Sequence, residues 1–354
     1  MFEESGNATF PPEDQKPSMF RMSVTYIALI VIILAVFLDL CIIMAYVRRP
    51  RLLTAFNVHI LLLTVQELLC AVLANPIVIQ QNLSRNVYMT NPAHCSYQKY
   101  IEWTFGSLML LQHDVICLDR WLALLRPSWY RTKTARFGVT ATLCAFVYQQ
   151  TWYLPLFVAE MMREIVPDSI CRTTVALPAY QLVVRIATHF LPELFVFLSY
   201  PMLLWRVWKL RKTRFHRLKT VRRGSRIEGQ QRSSTGSGSA EARNLAVIYA
   251  RTASIDLPLQ LMSSRRTHDE LQLTLWLLIL QIVFWMPPTV ATVLRSINSA
   301  LDQDLFNLAL LLPCALLLID PLVYLIFLKN VRNEIFGQFK GFLQVPCVRR
   351  VTMI

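Results

Sequence analysis

Apolar residues in this chain run in long blocks, not in the one-faced or alternating patterns of a water-soluble domain. A helix needs ~20 apolar residues to cross a hydrocarbon core of ~30 Å, and backbone in lipid must bond to itself. Seven blocks reach or approach that length, at about 22–47, 54–80, 95–125, 137–160, 178–208, 270–295 and 303–328. The fourth and seventh are the weakest by hydropathy. The third carries Glu102, His113 and Asp114, so neighbouring helices are expected to shield it from lipid. The alternation of a membrane β-barrel is missing, and 9 glycines are few for its turns. The pattern predicts an all-α membrane protein, a seven-transmembrane helix bundle.

Past the seventh block, Val331, Ile335, Phe339 and Phe342 recur at helical spacing, with Lys329, Arg332, Glu334, Gln338 and Lys340 on the other side. This predicts a short amphipathic eighth helix lying along the inner leaflet, in contact with membrane lipid. The chain divides into a tail (1–21), a membrane domain (22–328) with a long loop at about 209–269, and an amphipathic helix with its tail (329–354). The Ser-, Gly- and Gln-rich stretch 224–242 reads as a flexible linker.

Composition agrees: 55% of residues are hydrophobic and the mean hydropathy is +0.41. The net charge of +14 raises nucleic acid as a partner, but its placement argues against one. Basic residues gather beside the apolar blocks: Arg48, Arg49 and Arg51 after the first, Arg120 to Arg136 after the third, residues 206–232 after the fifth, and Lys329, Arg332 and Lys340 after the seventh. These belong on the cytoplasmic side. The N-terminus is then extracellular, the C-terminus cytoplasmic, and the expected location is the plasma membrane. The first twenty residues are polar and acidic, so the first block is expected to be an uncleaved signal anchor.

Asn7 heads a glycosylation sequon on the outer tail; Asn82 heads a second, close to the membrane and less suited to modification. Of eight cysteines, Cys41, Cys70, Cys117, Cys144 and Cys314 fall inside spans and Cys347 is cytoplasmic. Cys95 and Cys171 face the oxidising exterior and form the natural disulfide pair. Cys347 is a candidate for palmitoylation, with a plain thiol as the alternative.

Motifs separate a receptor from a transporter or channel. The third span ends in Asp119-Arg120-Trp121, with Cys95 twenty-five residues before Arg120. The fifth carries Pro192 and, eight positions on, Tyr200; the sixth carries Trp285-Met286-Pro287-Pro288; the seventh carries Asp320-Pro321-Leu322-Val323-Tyr324. In this order the motifs resemble those of the rhodopsin-like (class A) G protein-coupled receptors over about residues 20–345. The resemblance implies a receptor that passes extracellular ligand binding to a heterotrimeric G protein, with arrestin and receptor kinases as further partners. It implies a switch made of Asp119, Arg120, Tyr200, Trp285, Pro287, Asp320, Pro321 and Tyr324. Asp119 would hold Arg120 as a latch until the sixth span moves outward. Tyr200 and Tyr324 would present hydroxyls at the same depth, and Trp285 would form the pocket floor.

The departures are informative. Asp39, Glu67 and Asp320 stand where the family has Asn, Asp and Asn, so three carboxyls converge at mid-membrane. They cannot all be ionised there without partners, so a proton or a cation belongs among them. Sodium at Glu67 and Asp320 is one candidate, although Met109 replaces a polar residue of the family's site. His113, Trp121 and Gln281 also depart at the switch, and the fourth span lacks the usual tryptophan. These changes motivate the alternative of a receptor-fold regulator with weak or constitutive coupling.

The ligand pocket is expected in the outer half, from Glu102, Arg185, His189 and Trp285. Glu102 and Arg185 either pair with each other or clamp a zwitterionic ligand. The seventh span has no lysine, so a retinal Schiff base is excluded. No metal motif and no nucleophile–base pair appears in a water-facing segment. No catalytic residue, no cofactor and no enzymatic activity is expected.

Overall fold

The structure, a computed structural model, describes residues 19–83, 92–130, 132–162, 178–206, 269–291 and 311–343, with short pieces at 208–209, 212 and 308–309. All elements among these are helical. Helix α1 is Met19–Arg48, beginning three residues earlier than expected. Helix α2 runs from Ala55 to Leu83, α3 is Pro92–Leu125, and α4 is Ala135–Met161. Helix α5 spans Ala179–Arg206, α6 spans Asp269–Ala291, α7 is Leu312–Phe327 and α8 is Lys329–Leu343. A short helical turn, Pro127–Tyr130, joins α3 to α4.

By length and composition, α1, α2, α5 and α6 would each cross a membrane, and α7 with α8 would make one further, bent span. Helices α3 and α4 fall short because they carry the polar residues of the bundle interior. Gln112, His113, Asp114, Asp119 and Arg120 of α3, and Thr142, Gln149 and Gln150 of α4, are all buried.

Helix α1 shows the membrane logic plainly. Thr25, Ala28, Ile32, Ala35, Asp39, Ile42 and Ala45 recur every three or four positions and are buried. Ile27, Ile30, Ile33 and Phe37 on the other side are just as apolar yet exposed, as on a helix that meets lipid. The inner half is closed by a cluster that includes Tyr46, Phe56, Ile60, Leu63, Ile116, Leu277 and Tyr324. A second, of Cys117, Val196, Leu203, Leu271 and Leu278, packs α5 and α6 on α3.

Proline sets the irregularities. A proline has no N–H and its ring crowds the carbonyl four residues back. Pro76 and Pro192 each have that carbonyl, of Val72 and Thr188, inside a wide π turn, Cys70–Ala74 in α2 and Ile186–Phe190 in α5. The wider turns absorb the mismatch without ending either helix. Pro155 and Pro321 lie inside α4 and α7.

Polar ties replace the missing tryptophan of α4. The Gln149 amide donates to the Thr104 carbonyl of α3 at 2.6 Å and also meets the Ser107 hydroxyl. The Thr142 hydroxyl donates to Gln112 Oε1 at 2.9 Å, and the Gln112 amide donates to the His59 carbonyl at 3.2 Å, joining α4, α3 and α2. Gly138 admits this approach: a Cβ there would lie 3.2 Å from His59 Nε2 and from Val58 Cγ1. Gly138→Leu is therefore expected to destabilise the bundle by ~1–3 kcal/mol through overpacking, measured as a lowered thermal midpoint of the purified protein, whereas Gly138→Ala should cost far less.

Helix α8 turns 101° from α7. Its first apolar positions face protein, not lipid: Val331 and Ile335 are buried in the inner cluster beside Tyr324. Arg49 Nε meets Glu334 Oε2 at 2.7 Å and pins the helix to the first loop. The side chains of Phe339 and Phe342 lie outside the described set, as do residues 344–354 with Cys347.

Candidate functional site

At the inner end of α3, Arg120 is 2% exposed and held from several sides. Its Nη2 and Nε donate to Asp119 Oδ2 at 2.6 and 3.2 Å. Its Nη1 donates to Glu270 Oε2 of α6 at 2.7 Å. Nη2 also donates to the Tyr130 hydroxyl, which in turn donates to Asp119 Oδ2 at 2.7 Å. The guanidinium carbon sits 4.1 Å from the centroid of the Phe56 ring. His59 Nε2 approaches Asp119 Oδ1 at 3.6 Å. In the loop, burial pushes the Tyr130 phenol above its usual range, so it stays a neutral donor between the two charges. Two buried charges joined by aligned donors form a stiff unit, and the Glu270 bond ties α3 to α6.

Sequence reasoning placed the Asp119–Arg120 pair but missed Glu270, Tyr130 and His59. Tyr200 and Tyr324, expected at the depth of Arg120, do not touch it. Tyr200 packs with Trp121 and Leu124 in the α3/α5/α6 cluster. The Tyr324 hydroxyl donates to Glu67 Oε1 at 3.1 Å, so it belongs to the buried acids.

Those acids converge. Asp39 of α1, Glu67 of α2 and Asp320 of α7 are fully buried and close enough for mutual repulsion. His113 of α3 stands against them, its Nε2 3.3 Å from Asp320 Oδ2. Its Nδ1 lies 2.8 Å from the Met109 carbonyl, which can only accept, so Nδ1 carries a hydrogen. Nε2 then faces the carboxyl either with a proton of its own or as a bare lone pair. The second arrangement is repulsive unless Asp320 holds the proton. At 3.3 Å the two groups are close, yet neither His113 Nε2 nor either Asp320 oxygen makes a hydrogen bond. Among the described residues no group of three or more His, Cys, Asp or Glu is arranged to hold a metal ion. The imidazole of His113 is a neighbour of Asp320 that the sequence did not pair with it. Met109 beside it packs with Ala71 and Leu317 as apolar core.

In the outer half, the expected Glu102–Arg185 pairing is not made. Glu102 Oε2 bonds Lys99 Nζ at 2.8 Å, one helical turn away. The Arg185 guanidinium lies 5.2 Å from the centroid of the Trp103 ring. Consecutive residues point about 100° apart round a helix, so with Trp103 turned to α5, Glu102 points to a different side of α3. His189 Nε2 is 3.1 Å from the Tyr153 hydroxyl, which also meets Thr188 Oγ1 at 3.1 Å. Trp285 faces His189 at 6.4 Å between ring centroids, and its Cη2 would lie 3.4 Å from a Cβ on Gly106. Arg185, His189 and Trp285 thus share one aromatic lining with Trp103 and Tyr153, while Glu102 is elsewhere. Pro287 is half-buried six residues after Gln281, which is 1% exposed with no hydrogen-bond partner on either side-chain atom.

Several expected features lie outside the described residues: Asn7, Cys171 and Cys347, the side chain of Cys95, and hence the Cys95–Cys171 pairing. Asn82 falls in the last turn of α2, inside the helix instead of past it. The five cysteines expected within spans are free thiols.

A transverse helical bundle with a buried arginine at one mouth and an aromatic cup toward the other is receptor architecture. Residues 39–324 match the family described as 7 transmembrane receptor (rhodopsin family). The chain belongs to that family, and is a multi-pass membrane protein. It is similar to G-protein coupled receptor 161 of Homo sapiens (25% identical, covering 92% of this chain and 61% of that protein) and of Mus musculus (25%, covering 89% and 57%). It is also similar to Cephalotocin receptor 2 of Octopus vulgaris (22%, covering 99% and 77%). The chain thus spans less than two thirds of the length of the first two.

Proposed function

We propose that this protein sits in the plasma membrane with its N-terminus outside and passes binding of an extracellular ligand to a heterotrimeric G protein on the cytoplasmic side. Tail 1–21 is then extracellular, while the 209–269 loop and residues 329–354 are cytoplasmic and available to arrestin and receptor kinases. One observation carries this reading: Arg120 bridges α3 to α6 through Glu270 at 2.7 Å. A charged bond between two helices, buried at the basic end of the bundle, is a latch with two positions. Held, it closes the inner mouth. Released, it frees a cation at that mouth for a protein partner. The ligand enters at the aromatic lining of Trp103, Tyr153, Arg185, His189 and Trp285, and Trp285 relays it to α6.

The test is a panel of G protein dissociation sensors expressed with the full chain or with Arg120→Ala. At equal surface expression, wild type is expected to change the signal of at least one G protein and Arg120→Ala to remove that change. Equal signals from the two overturn the reading.

A further inference from the structure

A cavity of about 590 Å³ opens on the flank of the bundle between α3, α4 and α5. Its mouth is made of exposed apolar side chains, among them Leu118, Leu191 and the ring of Tyr148, with the free thiol of Cys144 on the rim. These positions face the bilayer, so the cavity fills from lipid and not from water. Its back wall is different. Asp114 lies there at 8% exposure, and its Oδ1 has no hydrogen-bond partner. Another acid, Glu193 of α5, acts on it, and Glu193 Oε1 already accepts from the Thr289 hydroxyl at 2.6 Å. The one basic side chain on the wall, His59, is turned to Asp119. A carboxyl held in an apolar groove without a cation is costly unless something supplies the complement.

We propose that this groove is a lateral binding site for a long-chain amine drawn from the bilayer, its ammonium on Asp114 and its hydrocarbon chain along the apolar walls. The unpartnered carboxyl oxygen of Asp114, the second carboxyl of Glu193 and the lipid-facing mouth select that occupant over an anion or a soluble ligand. The inner end of the groove is lined by Asp119, the partner of Arg120. An occupant therefore lies against the latch from outside the bundle. The site does not depend on the G protein reading.

Cys144 supplies the reporter. The full chain is alkylated with N-ethylmaleimide in detergent micelles, whose belt lets water reach the flank, with Cys144→Ser identifying the labelled position. Sphingosine is expected to slow alkylation of Cys144 about tenfold relative to N-acetylsphingosine, the same chain without the charge. Asp114→Asn should abolish that difference and Asp114→Glu should keep it. If Asp114→Asn does not fold, the comparison of the two lipids on wild type still decides. Equal protection by both lipids, protection by neither, or full selectivity in Asp114→Asn overturns the proposal.

Discussion

Replacing His113 with leucine is expected to lower the stability of the folded receptor by ~1–3 kcal/mol, the cost of leaving a buried polar group without its neighbour. His113 stands 3.3 Å from Asp320, and the Met109 carbonyl accepts from its Nδ1–H. Leucine fills the space and removes the polar neighbour of Asp320. Asp320 is left facing Asp39 and Glu67 in a site without exposure. Replacing both partners of such a contact with neutral groups is far less costly than replacing one. The double variant His113→Leu/Asp320→Asn should therefore recover most of the loss. A thiol-reactive dye reads this directly, because Cys117 and Cys314 are buried and react on unfolding. The assignment fails if the single variant melts with wild type, or if Asp320→Asn adds its own full cost to that of His113→Leu.

The outcome for the acids shows what the sequence carried. Asp39, Glu67 and Asp320 lie on three helices, and only their registration with a family pattern brought them to one depth. Their convergence was legible because charges in apolar blocks must face inward and meet a partner. The identity of the partner was not. His113 reads as one more departure on α3 until the rotation of that helix about its axis is known. The same missing angle misdirected the outer pocket. Glu102 and Trp103 are adjacent in sequence, and it is Trp103 that faces Arg185.

Helix α8 shows a related limit. Its periodicity in Val331 and Ile335 told correctly that one side is apolar, yet not whether lipid or protein covers it. Tyr324 and Phe56 of the bundle do. The residues missed at the gate, Glu270 and Tyr130, have no local signal at all. Glu270 opens α6 after a polar loop, and Tyr130 sits on a four-residue turn, so each reads as solvated surface until tertiary contact places it on Arg120.

Glu270→Gln is expected to raise signalling in the absence of ligand. The substitution keeps the length and shape of the side chain and removes its charge. A hydrogen bond to a charged group contributes ~1.5–3 kcal/mol, which exceeds that of a neutral bond by roughly 1–2 kcal/mol. Lost only from the latched state, that difference moves the balance between latched and released forms about five- to thirtyfold toward release. Arg120 keeps Asp119 and Tyr130, so it stays positioned at the mouth and the fold is little affected. Glu270→Lys places a like charge against the guanidinium and should move the balance further. Basal G protein dissociation at matched surface expression measures the effect. A spin-label pair at Arg136 on α4 and Gln272 on α6 measures it without any G protein. The longer distance should gain population in Glu270→Gln and more so in Glu270→Lys. Unchanged distance distributions in both variants would show that α6 is held by its apolar packing through Leu271 and Leu278 on Cys117, and that the bond to Arg120 only decorates a mouth closed by other means.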